Sequence, residues 1–170
     1  MTHSAPLTLS RMLLRLLIVL NLLAGVLILA LLVASLVAEA WVVRALGVPA
    51  GRPALVVGMR LVMAAGIASV PLAYIVLSRL LAIVETVRSD DPFVGANAAR
   101  LTAIAWALLG LELLRLGVVG IASAASFHRA GIDLGTGFAV TPWLSILLVF
   151  VLARVFAQGA AMRADLEGTI

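Results

Sequence analysis

Residues 16–38 read LLIVLNLLAGVLILALLVASLVA, a run without a single charged side chain. At a rise of about 1.5 Å per residue, a helix of that length crosses a hydrocarbon core of roughly 30 Å. Arg11 and Arg15 stand before the run and Trp41 just after it, where membrane helices carry charged and aromatic interface anchors. Ala38, Glu39 and Ala40 imitate a signal-peptidase site. A cleaved signal, however, has an apolar core of only about 7 to 15 residues, so the run reads as a retained transmembrane helix.

Outward from it, the chain repeats the pattern. Of its 170 residues, 64% are hydrophobic and 12% charged, whereas a soluble domain has about a quarter of its residues charged. The apolar residues gather into long runs separated by short Arg-bearing stretches, so the bilayer must serve as solvent. Four spans follow, at about 14–40, 55–78, 99–126 and 141–161, giving an all-α polytopic protein, a bundle of four transmembrane helices in one domain over residues 1–170. Gly47, Pro49, Gly51 and Pro53 mark the first turn. Pro71 should kink the second span. Thr141 and Pro142 read as N-cap and first helical position of the fourth.

The helical pattern of the second span continues past Arg79, because Leu80, Leu81, Val84 and Val87 keep one apolar face. The helix is therefore expected to project from the membrane over 79–89 and to turn at 90–97, where Pro92 disfavours helix in the residue before it. Arginines in the flanks set orientation, and those of the N-terminus, second loop and C-terminus outnumber those of the first and third loops by six to four. Both termini and the 90–97 turn are thus expected in the cytoplasm. Localisation follows as a bacterial inner membrane, with the lipid bilayer as the first partner.

The net charge of +4 does not indicate direct nucleic-acid binding, since the arginines are scattered singly beside apolar runs. All basic residues are Arg, as GC-rich bacterial coding favours. Cys is absent, which excludes thiolate chemistry and Cys-ligated zinc. His3 and His128 stand alone, and no phosphate loop, nucleophile elbow or paired-carboxylate site is present. The chain is read as no enzyme, with no cofactor and no metal.

Three ions lie inside the spans. Glu112 and Arg115, three residues apart, share a face of the third, and Arg154 lies in the fourth. An ionisable group at the bilayer centre costs roughly 2.5 to 3.5 kcal/mol, so each is expected to face the interior and find a partner. Gln158 sits one turn beyond Arg154, and Asn21 and Tyr74 fall at a similar depth of the first and second spans. These six residues suggest an intramembrane polar cluster. It reads either as a structural clasp, Glu112 coupled to Arg154, or as a ligand or proton path. Gly110, Gly117, Gly120 and Ala124 form a small-residue edge on the third helix, and both close packing within the chain and pairing of two copies use such an edge.

The stretch LLAIVETVRSDDPFVGANAARL, residues 80–101, resembles the bacterial membrane family domain of unknown function twenty-nine seventy-five (DUF2975). These are four-helix proteins with a cytoplasmic Pro-Phe motif, then an Asn and a basic-Leu pair. Pro92, Phe93, Asn97, Arg100 and Leu101 stand at those positions. Val94, Gly95 and Ala96 depart from it, because members often carry Thr and acidic residues there. The resemblance implies a four-helix architecture over nearly the whole chain and a partner, since such proteins are often encoded beside small helix-turn-helix regulators. Physically, Pro92 stiffens the turn, Phe93 offers an aromatic anchor and Asn97 can cap a helix. Asp91, Pro92, Phe93, Asn97 and Arg100 are thus a candidate docking turn for a cytoplasmic protein, and a well-made hairpin is the plain alternative. The function expected is sensory or regulatory. A small transporter using Glu112 and Arg154, and an accessory subunit of a membrane complex, are the alternatives.

Overall fold

A computed structural model describes residues 4–45, 53–88, 95–125, 127 and 139–167. It contains α1 (Ser4–Val37), α2 (Glu39–Ala45), α3 (Pro53–Arg88), α4 (Gly95–Ala124) and α5 (Thr141–Glu167). All but α2 are long and apolar enough to span a membrane. The fold is all-α with four membrane-length helices, as the apolar runs require.

Local chemistry explains the boundaries. α1 ends at Val37, earlier than the expected limit of the first span, and the chain bends at Ala38. The Ala38 carbonyl then accepts the N–H groups of Trp41 and Val42, each at 3.1 Å, which starts α2. Val42 is fully buried while Trp41 stays exposed, so this short helix has one inward and one outward face. Pro53 opens α3, where its missing N–H would have had no helical partner. α3 runs through Pro71 to Arg88, so the projection past Arg79 is helical. α5 begins at the Thr141 and Pro142 pair.

The chain divides into two compact units. In the first (Met1–Leu20, Leu72–Gly110, Ala139–Ile170), Leu101, Ile104 and Ala153 form a core against which Val76, Leu80, Ile83, Leu108, Val149 and Phe156 pack. Trp106 and Phe150 meet edge to face at 5.5 Å between ring centroids, the geometry aromatic quadrupoles favour. In the second (Asn21–Pro71, Leu111–Phe138), Leu55, Ala122, Ala125 and Phe127 form the core with Val43, Met59 and Val62. The Phe127 N–H returns to the Ala122 carbonyl at 3.0 Å, folding the ring back beneath the end of α4.

Glycine makes that second core possible. A Cβ at Gly58 would lie 2.5 Å from the Cβ of Ala125 and 3.0 Å from the Phe127 ring. Neither group has a flexible end to move aside. Gly58→Ala is therefore expected to destabilise by about 1 to 3 kcal/mol through overpacking, read as a lower melting temperature in detergent. Gly117 and Gly120, by contrast, have nothing within 4 Å of an added Cβ. Of the glycines on that edge, Gly110 is closely approached within the chain, by Leu72 at 3.0 Å. Ala substitution at 117 or 120 should leave the melting temperature unchanged or raise it, because helical glycine costs about 1 kcal/mol relative to alanine.

Candidate functional site

Polar side chains in this chain are few, and the structure gathers several of them into separate knots. The most elaborate joins α3 to α4. Asn97, fully buried, donates from Nδ2 to Thr86 Oγ1 at 2.8 Å, and the Thr86 hydroxyl bonds the Ile83 carbonyl at 2.7 Å. Arg100 Nη1 donates to Asn97 Oδ1 at 2.8 Å and to the Ala82 carbonyl at 3.2 Å. The side-chain amide thus both gives and receives, as a buried amide must.

This arrangement corrects the role expected of Asn97. It is the third residue of α4 rather than a cap ahead of it, and its polar atoms hold the two helices together. Arg100 is likewise engaged inside the hairpin. Asp91, Pro92 and Phe93, the rest of the expected docking turn, lie outside the described residues.

A second knot lies within α4. Arg115 Nε donates to Glu112 Oε2 at 2.9 Å and Nη2 to Oε1 at 2.7 Å. This is a two-pronged fork that matches guanidinium to carboxylate. Glu112 retains only 5% of its accessible surface. The carboxylate near the middle of the span is therefore neutralised by the residue one turn further along its own helix.

Two further contacts hold α1 and α2 to α3 within the second unit. Asn21 Nδ2 donates to the Val70 carbonyl at 3.0 Å, beside Pro71. Arg60 Nη2 donates to Glu39 Oε2 at 2.8 Å and also to the Ser35 carbonyl, bracing the bend at Ala38 from both sides. In the first unit, Arg11 approaches Glu85 at 3.6 Å.

The six residues expected to form one cluster fall in both units. Glu112, Arg115 and Asn21 belong to the second unit; Tyr74, Arg154 and Gln158 belong to the first and are exposed. Thr86, Glu39 and Ser35 are the participants that sequence reasoning missed. A signal existed for Glu39: Arg60 lies inside a span and needs a carboxylate, and Glu39 is the acidic residue that precedes it in the chain. None existed for Ser35, which contributes only its carbonyl.

Among the described residues no three His, Asp or Glu side chains gather as metal ligands would. An open groove of about 390 Å³ between α3 and α4 is lined by Pro53, Ala54, Val57, Gly58, Leu61 and Ile121 among others, all apolar. A site for a polar substrate needs convergent polar groups as well.

A family model described as a protein of unknown function, DUF2975, matches residues 42–170. The chain belongs to the DUF2975 family. The match takes in α3, α4 and α5 and leaves α1 before it. Within the matched residues, Asn97 and Arg100 fasten the α3–α4 hairpin, and Leu101 lies in the first unit's core. No curated protein and no solved structure matched the chain.

Proposed function

We propose that this DUF2975 protein is a small, non-catalytic regulatory protein of a bacterial inner membrane, with both termini and the α3–α4 connection in the cytoplasm. The connection, carrying Asp91, Pro92 and Phe93, docks a cytoplasmic protein, and a helix-turn-helix regulator is the partner that the family resemblance suggests. The observation supporting this reading is the Thr86–Asn97–Arg100 knot, which braces the two helices flanking residues 89–94. A braced stem lowers the ordering cost of docking. A proton or solute path through Glu112 draws no support, because Arg115 already occupies both carboxylate oxygens.

Phe93→Ala removes an aromatic of the kind that dominates interface hot spots, at about 2 kcal/mol or more. Recovery of a cytoplasmic partner from native membranes should fall by more than tenfold, since each 1.4 kcal/mol is about a factor of ten. Val48→Ala, in the opposite loop, should change nothing. Collapse of expression with normal binding by the surviving protein would reduce the segment to a folding hairpin.

Orientation has its own test, made clean by the absence of native cysteine. On whole cells an impermeant thiol reagent should label Gly51→Cys and leave Asp90→Cys untouched. The reverse pattern would invert the topology.

A further inference from the structure

Arg154 lies inside the α5 span, Thr141–Arg163, yet its side chain is exposed. Among the described residues it meets no carboxylate: the ion pairs use Arg11, Arg60 and Arg115. Gln158, one turn along the same face, is exposed too. Leu144, Leu147 and Val151 precede them, between 53% and 61% exposed. The five residues are spaced three, four, three and four apart, the seam by which helices pack side by side in membranes. An arginine and a glutamine closing such a seam inside the span are costly against lipid tails and profitable against a polar partner.

Depth argues against a lipid headgroup as that partner. Arg154 is about 20 Å along α5 from Thr141 and more than ten ångströms short of the other end of the span, by rise per residue. Side chains on a helix lean toward its N-terminus, so Arg154 points away from the nearer surface. A second copy of the chain is no better suited, because the acidic residues of the four spans, Glu85 and Glu112, are already paired with Arg11 and Arg115. Two copies would oppose arginine to arginine.

We infer that the face of α5 bearing Leu147, Val151, Arg154 and Gln158 is a contact surface for a transmembrane helix of a different protein, which presents a carboxylate to Arg154. The surface is distinct from the α3–α4 connection and would place this protein in a membrane complex as well as beside a cytoplasmic partner. Arg154 supplies orientation and selectivity, because a guanidinium and a carboxylate pair strongly only where water is excluded. The aliphatic residues of the seam supply contact area.

The full-length protein, carrying a donor fluorophore at Gly168→Cys, is reconstituted in phosphatidylcholine vesicles. The probes are acceptor-labelled polyleucine transmembrane peptides with one Glu, Gln, Lys or Leu at the depth of Arg154. Energy transfer should show the Glu peptide associating at least tenfold more tightly than the Leu peptide, and the Lys peptide most weakly. Arg154→Leu should abolish the preference and Arg154→Lys should keep most of it. Arg154→Leu removes a charge from lipid, so it should fold at least as well as the parent. Equal association of the Glu and Leu peptides, or a preference that survives Arg154→Leu, overturns the inference. So does loss of the preference when phosphatidylglycerol is added to the vesicles, which would assign Arg154 to lipid phosphate.

Discussion

Glu112→Gln is expected to lower the melting temperature in detergent by about 10 °C, and the double change Glu112→Gln with Arg115→Gln to lower it by much less. The argument rests on what each variant leaves behind. Removing the carboxylate strands a guanidinium whose fork was matched to both carboxylate oxygens, while removing both charges leaves two amides that can bond to each other across one helical turn. The effect of the pair should therefore be far from the sum of the single effects. Arg154→Gln is the instructive comparison, because depth within the spans points to Arg154 as the partner of Glu112. Non-additivity of Glu112 with Arg115, and additivity of Glu112 with Arg154, would assign the clasp to Arg115. Additivity in both pairs would remove the clasp and reopen a transport role for the carboxylate.

Asn97→Ala should cost about 3 kcal/mol, the largest loss expected from any single uncharged side chain in the first unit. Asn97 is fully buried, and its amide serves Thr86 with its donor and Arg100 with its acceptor. Alanine leaves a void and deprives Arg100 of a short, charge-assisted bond. Thr86→Val is a milder change, because its hydroxyl can be lost without stranding a charge. The cycle of Asn97→Ala with Thr86→Val should show a coupling of about 1 kcal/mol. If Asn97→Ala melts like the parent, the knot does not hold the hairpin. If it melts early while the folded fraction still binds a cytoplasmic partner normally, docking depends on residues 89–94 and not on the stem. Together with Phe93→Ala, which should spare stability, this separates holding the hairpin from recognising the partner.

The number of spans and the helical continuation of the second past Arg79 were legible in the chain, for one physical reason. Backbone polar groups in hydrocarbon must bond within their own segment, so twenty or so apolar residues have only helix open to them. Pro53 and Pro142 mark helix starts for an equally local reason. The Ala38 bend was less legible, because nothing in Leu16–Ala38 interrupts the apolar run. It depends on Arg60, twenty-two residues later, reaching the Ser35 carbonyl and Glu39.

Pairing is where reading the chain alone ran short. Helical spacing placed Glu112 and Arg115 on one face, and they do pair; depth in the spans offered Arg154, whose face only packing could decide, and its side chain is exposed. Asn97 read as a cap or a docking group because it follows the Pro92 turn in the stretch that the family resemblance singles out. Its burial depends on Thr86, brought across from the preceding helix. Gly117 and Gly120 looked like a packing edge and are open, whereas Gly58, unremarked in the run around it, is pressed against Ala125 and Phe127. The sequence by itself determined that four helices cross a membrane and which residues are ionic within them, because both follow from the solvent each residue must face. Which polar groups meet, and which glycines are approached, only the tertiary structure decided, because rotation of one helix about its axis changes its neighbours without changing its hydropathy.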